Sequence, residues 1–436
     1  MRCGTTPGIG CPGCSTECRC APRSPSEPTW KAWCLVPEFS LIIVLVIALA
    51  LIFDFTNGFH DTANAMATPI ATGAMKPKVA VGVAAILNLV GAFLSTEVAR
   101  TVSGGIIKEG DGGVLITPEL IFAGLIGAIV WNLVTWLMGL PSSSSHALFG
   151  GLIGATIIGV GTQAVDYNVV AAKVILPALI APLIAGGVAL VATRLAYTIT
   201  RRDVGKPDGR GGFRYAQIFS SSLVALAHGT NDAQKTMGVI TLTLIAGGFQ
   251  AVGSGPTFWV IAACALAIAV GTYTGGWRII RTMGTGLTEI KPAQGFAAET
   301  STAATILASS HLGFALSTTQ VASGSVIGSG LGRRGSTIRW GMAGRIALGW
   351  VMTLPASAIM GAFAAGLALL GPIGIVLDMV IGTIVIMALF RWSRRNRVSH
   401  HTLLNDIDDA GRVVNIKKTP RRPTRRGRGD RKKVSL

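Results

Sequence analysis

A short polar stretch occurs twice in an otherwise apolar chain. It reads Asn57-Gly58-Phe59-His60-Asp61-Thr62-Ala63-Asn64-Ala65-Met66 and later His228-Gly229-Thr230-Asn231-Asp232-Ala233-Gln234-Lys235-Thr236-Met237. Gly, Asp and Met recur in register at an offset of 171 residues, and each copy interrupts a long hydrophobic run. A second pair follows at an offset of 174 residues: Pro141-Ser142-Ser143-Ser144-Ser145-His146 leads into Gly150 and Gly154, and Leu316-Ser317-Thr318-Thr319-Gln320 leads into Gly324 and Gly328. The chain is therefore two halves, each with an acidic motif followed by a hydroxyl motif.

Half of the residues are hydrophobic and only 13% are charged, which places the chain among polytopic membrane proteins rather than soluble enzymes. Its apolar runs predict an all-α polytopic membrane protein with about 10–12 membrane helices, some of them broken or re-entrant half-helices that do not cross. If each half holds an odd number of crossings, the two copies form inverted repeats, a common plan of secondary transporters.

The expected organisation is a Cys- and Pro-rich disordered extension over residues 1–36, a first membrane repeat over 37–199, and a basic inter-repeat loop over 200–213. A second membrane repeat over 214–392 and a basic disordered tail over 393–436 complete it. Six of the seven cysteines lie in the first segment, yet Cys11 and Cys14 lack a second pair at zinc spacing. Val36 is an alternative start for the natural chain. The seventh, Cys264, lies in an apolar run and reads as packing.

Arg201, Arg202, Lys206, Arg210 and Arg214 put the inter-repeat loop in the cytoplasm by the positive-inside rule. Residues 391–436 contribute 15 Lys and Arg against 4 Asp, most of the formal +18. On a membrane protein such a tail holds topology and touches anionic lipid. With no aromatic residue after Trp392 to stack on bases, it does not read as a nucleic-acid binder.

Charges at membrane depth cost about 2.5–3.5 kcal/mol each on insertion scales, so Asp61, Asp232, Lys235 and Glu299 call for a function. On a helix Asn57, Asp61, Asn64 and Thr68 share one stripe, which must face protein or water. Lys235 stands three residues after Asp232, so a plain buried ion pair is the competing account of the lysine, and the weaker one. Ser143, Ser144, Ser145 and Ser317, Thr318, Thr319 stand where a new apolar helix begins. Free N–H groups there, with the hydroxyls, make an anion cradle; N-capping explains one hydroxyl in each copy but not three.

An anion site that also holds carboxylates suits a protonated oxyanion. Phosphate can donate hydrogen bonds to Asp61 and Asp232 while accepting them from the hydroxyls; fully ionised sulfate cannot. The same carboxylates, with His60, Asn231 and Glu299, are candidates for a coupling cation, a proton or Na+. His60 beside Asp61 is weighed evenly between a functional and a structural role, a purely structural role stays open for His228, which caps the second motif, and His311 reads as a packed, hydrogen-bonded residue.

The residues that carry this chemistry resemble the inorganic phosphate transporter (PiT) family, in its bacterial low-affinity branch. The similarity runs from about residue 38 to 392 through Asp54 to Met66, Pro141 to His146, His228 to Lys235, Gly295 to Glu299, and Ser317 to Thr319. It implies an inverted-repeat helical transporter in the plasma membrane of a bacterium, a homodimer, with phosphate between the aspartate and hydroxyl motifs. It also raises a divalent metal–phosphate complex as cargo. His60 stands where many members have Asn, and a titratable ring there favours a proton over Na+. Neither a cofactor nor a resident metal is expected.

Two other readings compete. A transporter of another oxyanion, or a passive anion channel, differs in whether uptake runs uphill. An intramembrane serine hydrolase would need a Gly-x-Ser-x-Gly elbow and a single His; the elbow is missing and Gln320 replaces the His in the second copy.

Overall fold

The computed structural model describes residues 41–105, 116–200 and 212–395. The expectations for residues 1–36, and for nearly all of the inter-repeat loop and the basic tail, lie outside them. Among the described residues there is no strand, only an isolated bridge between Thr288 and Ile338.

Backbone polar groups in lipid must be satisfied within the chain, and helices do this. The helices are α1 (Leu41–Ala71), α2 (Pro77–Gly91), α3 (Glu97–Gly105), α4 (Pro118–Leu137), α5 (Ser144–Gly159), α6 (Tyr167–Val170) and α7 (Leu176–Thr200) in the first half. In the second they are α8 (Gly212–Ala246), α9 (Phe258–Thr274), α10 (Trp277–Arg281), α11 (Pro292–His311), α12 (Thr318–Gly332), α13 (Trp340–Ala368) and α14 (Pro372–Arg395). Pro77, Pro118 and Pro292 each open a helix, where the missing N–H costs nothing.

Among the described residues, five helical stretches are long and apolar enough to cross a membrane: α1, α4, the run 167–199, α13 and α14. A sixth is broken, α9 meeting residues 277–286 at 59°. Helices α8 and α11 are long but rich in polar residues that are buried in the protein. With them and the half-length α2, α5 and α12, these described segments number eleven, within the ten to twelve expected.

The two acidic copies run antiparallel. Asp54 on α1 lies beside Thr236 on α8, and Asp61 beside His228. Thr68 and Ser220 meet through Glu299, and Thr72 bonds Gln217. Residue numbers rise along one helix as they fall along the other, so the halves are inverted about an axis between Asp61 and Asp232.

The halves interlock. Half-helix α5 packs on α13 of the other half, and α12 packs on α7. Glycine makes both crossings possible: a Cβ at Gly154 would stand 1.9 Å from the Ala358 carbonyl, and one at its counterpart Gly328 would stand 1.9 Å from that of Gly186. Small residues give membrane helices this close approach.

Basic residues gather at one end. Arg214 bonds the Ala74 carbonyl past the end of α1, Arg333 the Glu289 carbonyl, Arg339 the Thr285 carbonyl, and Arg278 the carbonyl of Ser393 near the end of α14. Beside Glu289, the Lys291 ammonium at 2.7 Å holds that surface carboxyl below its usual range.

These crossings predict that Gly154→Ala and Gly328→Ala each destabilise the protein by about 1–3 kcal/mol through overpacking. Gly82→Ala and Gly344→Ala, where a Cβ meets open space, do not. Melting temperatures in detergent read the difference; equal shifts in all four variants would refute the interlocking contact.

Candidate functional site

Each half sends one unbroken helix and one half-helix to the axis. From α1 come His60, Asp61 and Asn64, and from α8 come His228, Asp232 and Lys235, all buried. Half-helices α5 and α12 begin beside them. Their caps are identical in design: the Ser143 hydroxyl accepts from the His146 N–H at 3.2 Å, and the Ser317 hydroxyl from the Gln320 N–H at 3.3 Å. Capping thus occupies the first hydroxyl of each motif and frees the next two for other partners.

Those freed hydroxyls meet the charges. Ser144 Oγ donates to Asp61 Oδ2 at 2.9 Å. Its counterpart Thr318 Oγ1 lies 2.8 Å from Asp232 Oδ2 and 3.5 Å from Asp61 Oδ2, so one hydroxyl touches both carboxylates. Thr319 Oγ1 donates to Asp61 Oδ1 at 3.1 Å and accepts from Asn64 Nδ2 at 3.0 Å. Ser145 takes the other end of the site, accepting from Lys235 Nζ at 2.6 Å.

Lys235 also donates to the Leu316 carbonyl at 2.8 Å and to Asp232. Its three donors are all satisfied. The lysine therefore does more than neutralise Asp232: it ties α8 to the starts of both half-helices. Two carboxylates against one ammonium leave a formal negative charge, which a protonated histidine or a bound cation would balance.

Two histidines flank the carboxylates. His60 Nδ1 lies 2.7 Å from Asp61 Oδ1, and its Nε2 faces Ser142 Oγ at 3.3 Å and Thr135 Oγ1 at 3.5 Å. His228 Nε2 lies 2.8 Å from Asp232 Oδ2 and 3.8 Å from Asp61 Oδ2, with Asn88 Oδ1 at 3.3 Å from its other nitrogen. One atom each from Asp61, His228 and Asp232 lies within 4.8 Å of the others, a spacing able to hold a cation. The sequence alone did not place His228 against both carboxylates, and it left Thr135, Ser142 and Asn88 unnamed as partners. Their only advance signal was that two buried histidines require them.

Not every predicted residue reaches this centre. Asn231 turns its amide nitrogen to Ser310 Oγ at 3.0 Å and the Phe314 carbonyl at 3.3 Å, leaving Oδ1 buried without a hydrogen bond, as is Asn64 Oδ1. Glu299 stands two helical turns away, about 10 Å along α1. There it accepts from Ser220 at 2.5 Å, Gln217 at 3.2 Å and Thr68. His311 is exposed, so it is not the packed residue that the sequence suggests.

Comparison with known proteins follows the same lines. A profile of the phosphate transporter family matches residues 57–210 and 198–361. A probable low-affinity inorganic phosphate transporter of Mycobacterium leprae is 57% identical over 365 residues, 83% of this chain and 86% of the relative. Its namesake from Bacillus subtilis is 40% identical over 330 residues, 74% of this chain and 96% of the relative. Among solved structures, one titled the sodium-dependent phosphate transporter superposes with a TM-score of 0.66 at 22% identity, covering 76% of this chain and all of that one. With its duplicated motifs meeting on one axis, the chain belongs to the phosphate transporter family.

Proposed function

We infer that this protein imports inorganic phosphate by symport with a cation, a proton in preference to Na+. Family membership makes it a membrane transporter and not an enzyme, and the names of its bacterial relatives support inorganic phosphate as cargo. The observation that carries the reading is Thr318 between Asp61 and Asp232. A hydroxyl that donates to Asp232 at 2.8 Å and lies 3.5 Å from Asp61 occupies the place where a phosphate hydroxyl would donate.

In this reading phosphate enters between the half-helix starts. Ser144, Ser145, Thr318 and Thr319 turn their hydroxyls from carboxylate to phosphate oxygen, joined by Asn64 and by the N–H groups of α5 and α12. Ser143 and Ser317 hold those helix ends in place. Asp61 and Asp232 accept from the protonated oxygens of the cargo, and Lys235 supplies the positive charge that phosphate needs. Discrimination against sulfate follows, because sulfate has no proton for a buried carboxylate. A divalent metal–phosphate complex would use the same oxygens, the metal being cargo.

The contact of His60 Nδ1 with Asp61 Oδ1 at 2.7 Å favours a proton, since an imidazole nitrogen can hand a proton to a carboxylate and is no hard-oxygen ligand for Na+. One observation favours Na+ as the alternative. The amide oxygens of Asn64 and Asn231 are buried and unpartnered, and hard oxygens are what such a cation requires. Glu299, with Thr68, Gln217 and Ser220, would form a separate station for the coupling ion toward the basic end, which the positive-inside rule places in the cytoplasm. The apolar outer faces of α7, α13 and α14 suit lipid and a second copy of the chain, and cross-linking in native membranes would report the dimer.

Labelled phosphate uptake into proteoliposomes, driven by an inward pH gradient or an inward Na+ gradient, is the test. Asp61→Asn should abolish uptake under either; retained uptake would remove Asp61 from the site. A pH gradient should drive wild-type uptake without Na+, and Na+ drive alone would overturn the proton assignment.

A second comparison separates cradle from cap. Ser144→Ala should raise the KM for phosphate by about tenfold, the loss of roughly one charge-assisted hydrogen bond. Ser143→Ala should instead cost about 1 kcal/mol of stability with KM little changed. The reverse pattern would exchange their roles.

A further inference from the structure

We propose that Asp54 is a proton-carrying site separate from the phosphate site, loaded from the end of the protein opposite the basic one. The inference rests on the proton-coupled reading above and deepens it. Asp54 lies two turns before Asp61 on the same face of α1, about 10 Å along the axis. It is completely buried, and neither carboxyl oxygen has a hydrogen-bond partner. The Thr236 hydroxyl lies alongside without the geometry of a hydrogen bond and is itself unpartnered. The titratable groups that face Asp54 are His228, Asp232 and Lys235 on α8 and the Cys264 thiol on α9.

A purely structural role fails on the fold's own symmetry. The 171-residue offset carries Asp54 onto Ala225 and Thr236 onto Ala65, both buried. At the equivalent place on the other side of the axis, two alanines fill the same helix crossing. Packing therefore requires only methyl groups here, and the carboxyl is an addition that costs several kilocalories in an apolar medium unless it is neutral. Sodium is a poorer occupant, because the side-chain hydroxyl beside the carboxyl is that of Thr236, and a hard cation wants several oxygen ligands. A single proton needs no such shell. In the cycle Asp54 takes one proton from the outer aqueous phase as phosphate loads, and returns it to the inner phase as phosphate leaves. The ionised carboxylate is then recharged from outside.

The experiment uses the full-length protein in proteoliposomes, with Asp54→Asn and Asp54→Ala, the second being the residue the fold itself places at the equivalent position. Two assays are run on each: exchange of labelled for unlabelled phosphate at equal pH, and uphill accumulation driven by an inward pH gradient. We expect exchange to stay within about threefold of wild type while accumulation falls by about tenfold or more. Infrared difference spectra on phosphate binding should lose the carbonyl stretch of a neutral carboxylic acid in Asp54→Asn. Variants that still accumulate phosphate under the pH gradient would overturn the proposal alone. Loss of exchange together with accumulation, in protein that melts as wild type does, would overturn it by moving Asp54 into the phosphate site. Failure of both variants to fold would overturn it in favour of packing. A wild type driven only by Na+ would instead defeat the proton-coupled reading, and this proposal with it.

Discussion

The architecture depends on the cost of charge away from water. Two carboxylates and an ammonium are held in the interior of a helical membrane protein, and none could remain there alone. Asp61 and Lys235 are tolerable because both halves of the chain supply their partners, and Asp232 because Lys235, His228 and Thr318 of its own half surround it. Asp61 from the first half is bonded by Ser144 of its own half and by Thr318 and Thr319 of the other. Lys235 from the second is bonded to Ser145 of the first. The interlocked packing of α5 on α13 and α12 on α7 brings these groups together, and glycines 154 and 328 permit the required approach. A site shared in this way exists only when both halves are docked, which links the fold directly to binding.

The backbone is close to symmetric and the side chains are not. Asp61 and Asp232, Ser144 and Thr318, and the capping Ser143 and Ser317 correspond across the axis. Beside them the chemistry diverges: His60 against Asn231, Asn57 against His228, Asn64 against Lys235. The divergence widens toward the ends. Thr68, Gln217, Ser220 and Glu299 surround one buried polar station. Their counterparts Val239, Val46, Leu49 and Leu125 belong to one hydrophobic cluster at the other end. Conserving the elements that make the helix crossings while varying the residues between them lets one duplicated fold carry two different ends.

Much of this was legible in the residues. The repeated motifs named the two aspartates and the hydroxyl pairs, because polar groups in an apolar run have few innocent explanations. The helical class followed from the requirement that lipid places on the backbone. What escaped was whatever depends on a partner distant in sequence. His228 looked like an ordinary buried histidine until the antiparallel register set it between Asp232 and Asp61. Ser143 and Ser144 are indistinguishable in a run of four serines, and only the helix start decides which one caps. Glu299 was correctly marked as costly, but its distance from Asp61 is a property of two crossing helices and of no local pattern.

The asymmetry bears on how such a protein works. A strictly symmetric inverted repeat would have two access states of equal energy, and substrate would bind each alike. Net flow is set by the gradients in either case, because no structure can bias an equilibrium. Differences between the two ends do set how the populations of the two states respond to loading, since a ligand shifts an equilibrium only by its differential affinity. A buried polar station at one end and an apolar cluster including Val46, Leu125 and Val239 at the other differ in what hydration would cost, since wetting the apolar end would expose hydrophobic surface. Tight coupling further requires that cation and phosphate be bound together or not at all. Asp54 and Asp61 share one stripe of α1, and Thr68 on the same stripe bonds Glu299 of α11, so all three carboxyl groups are tied to one rigid element.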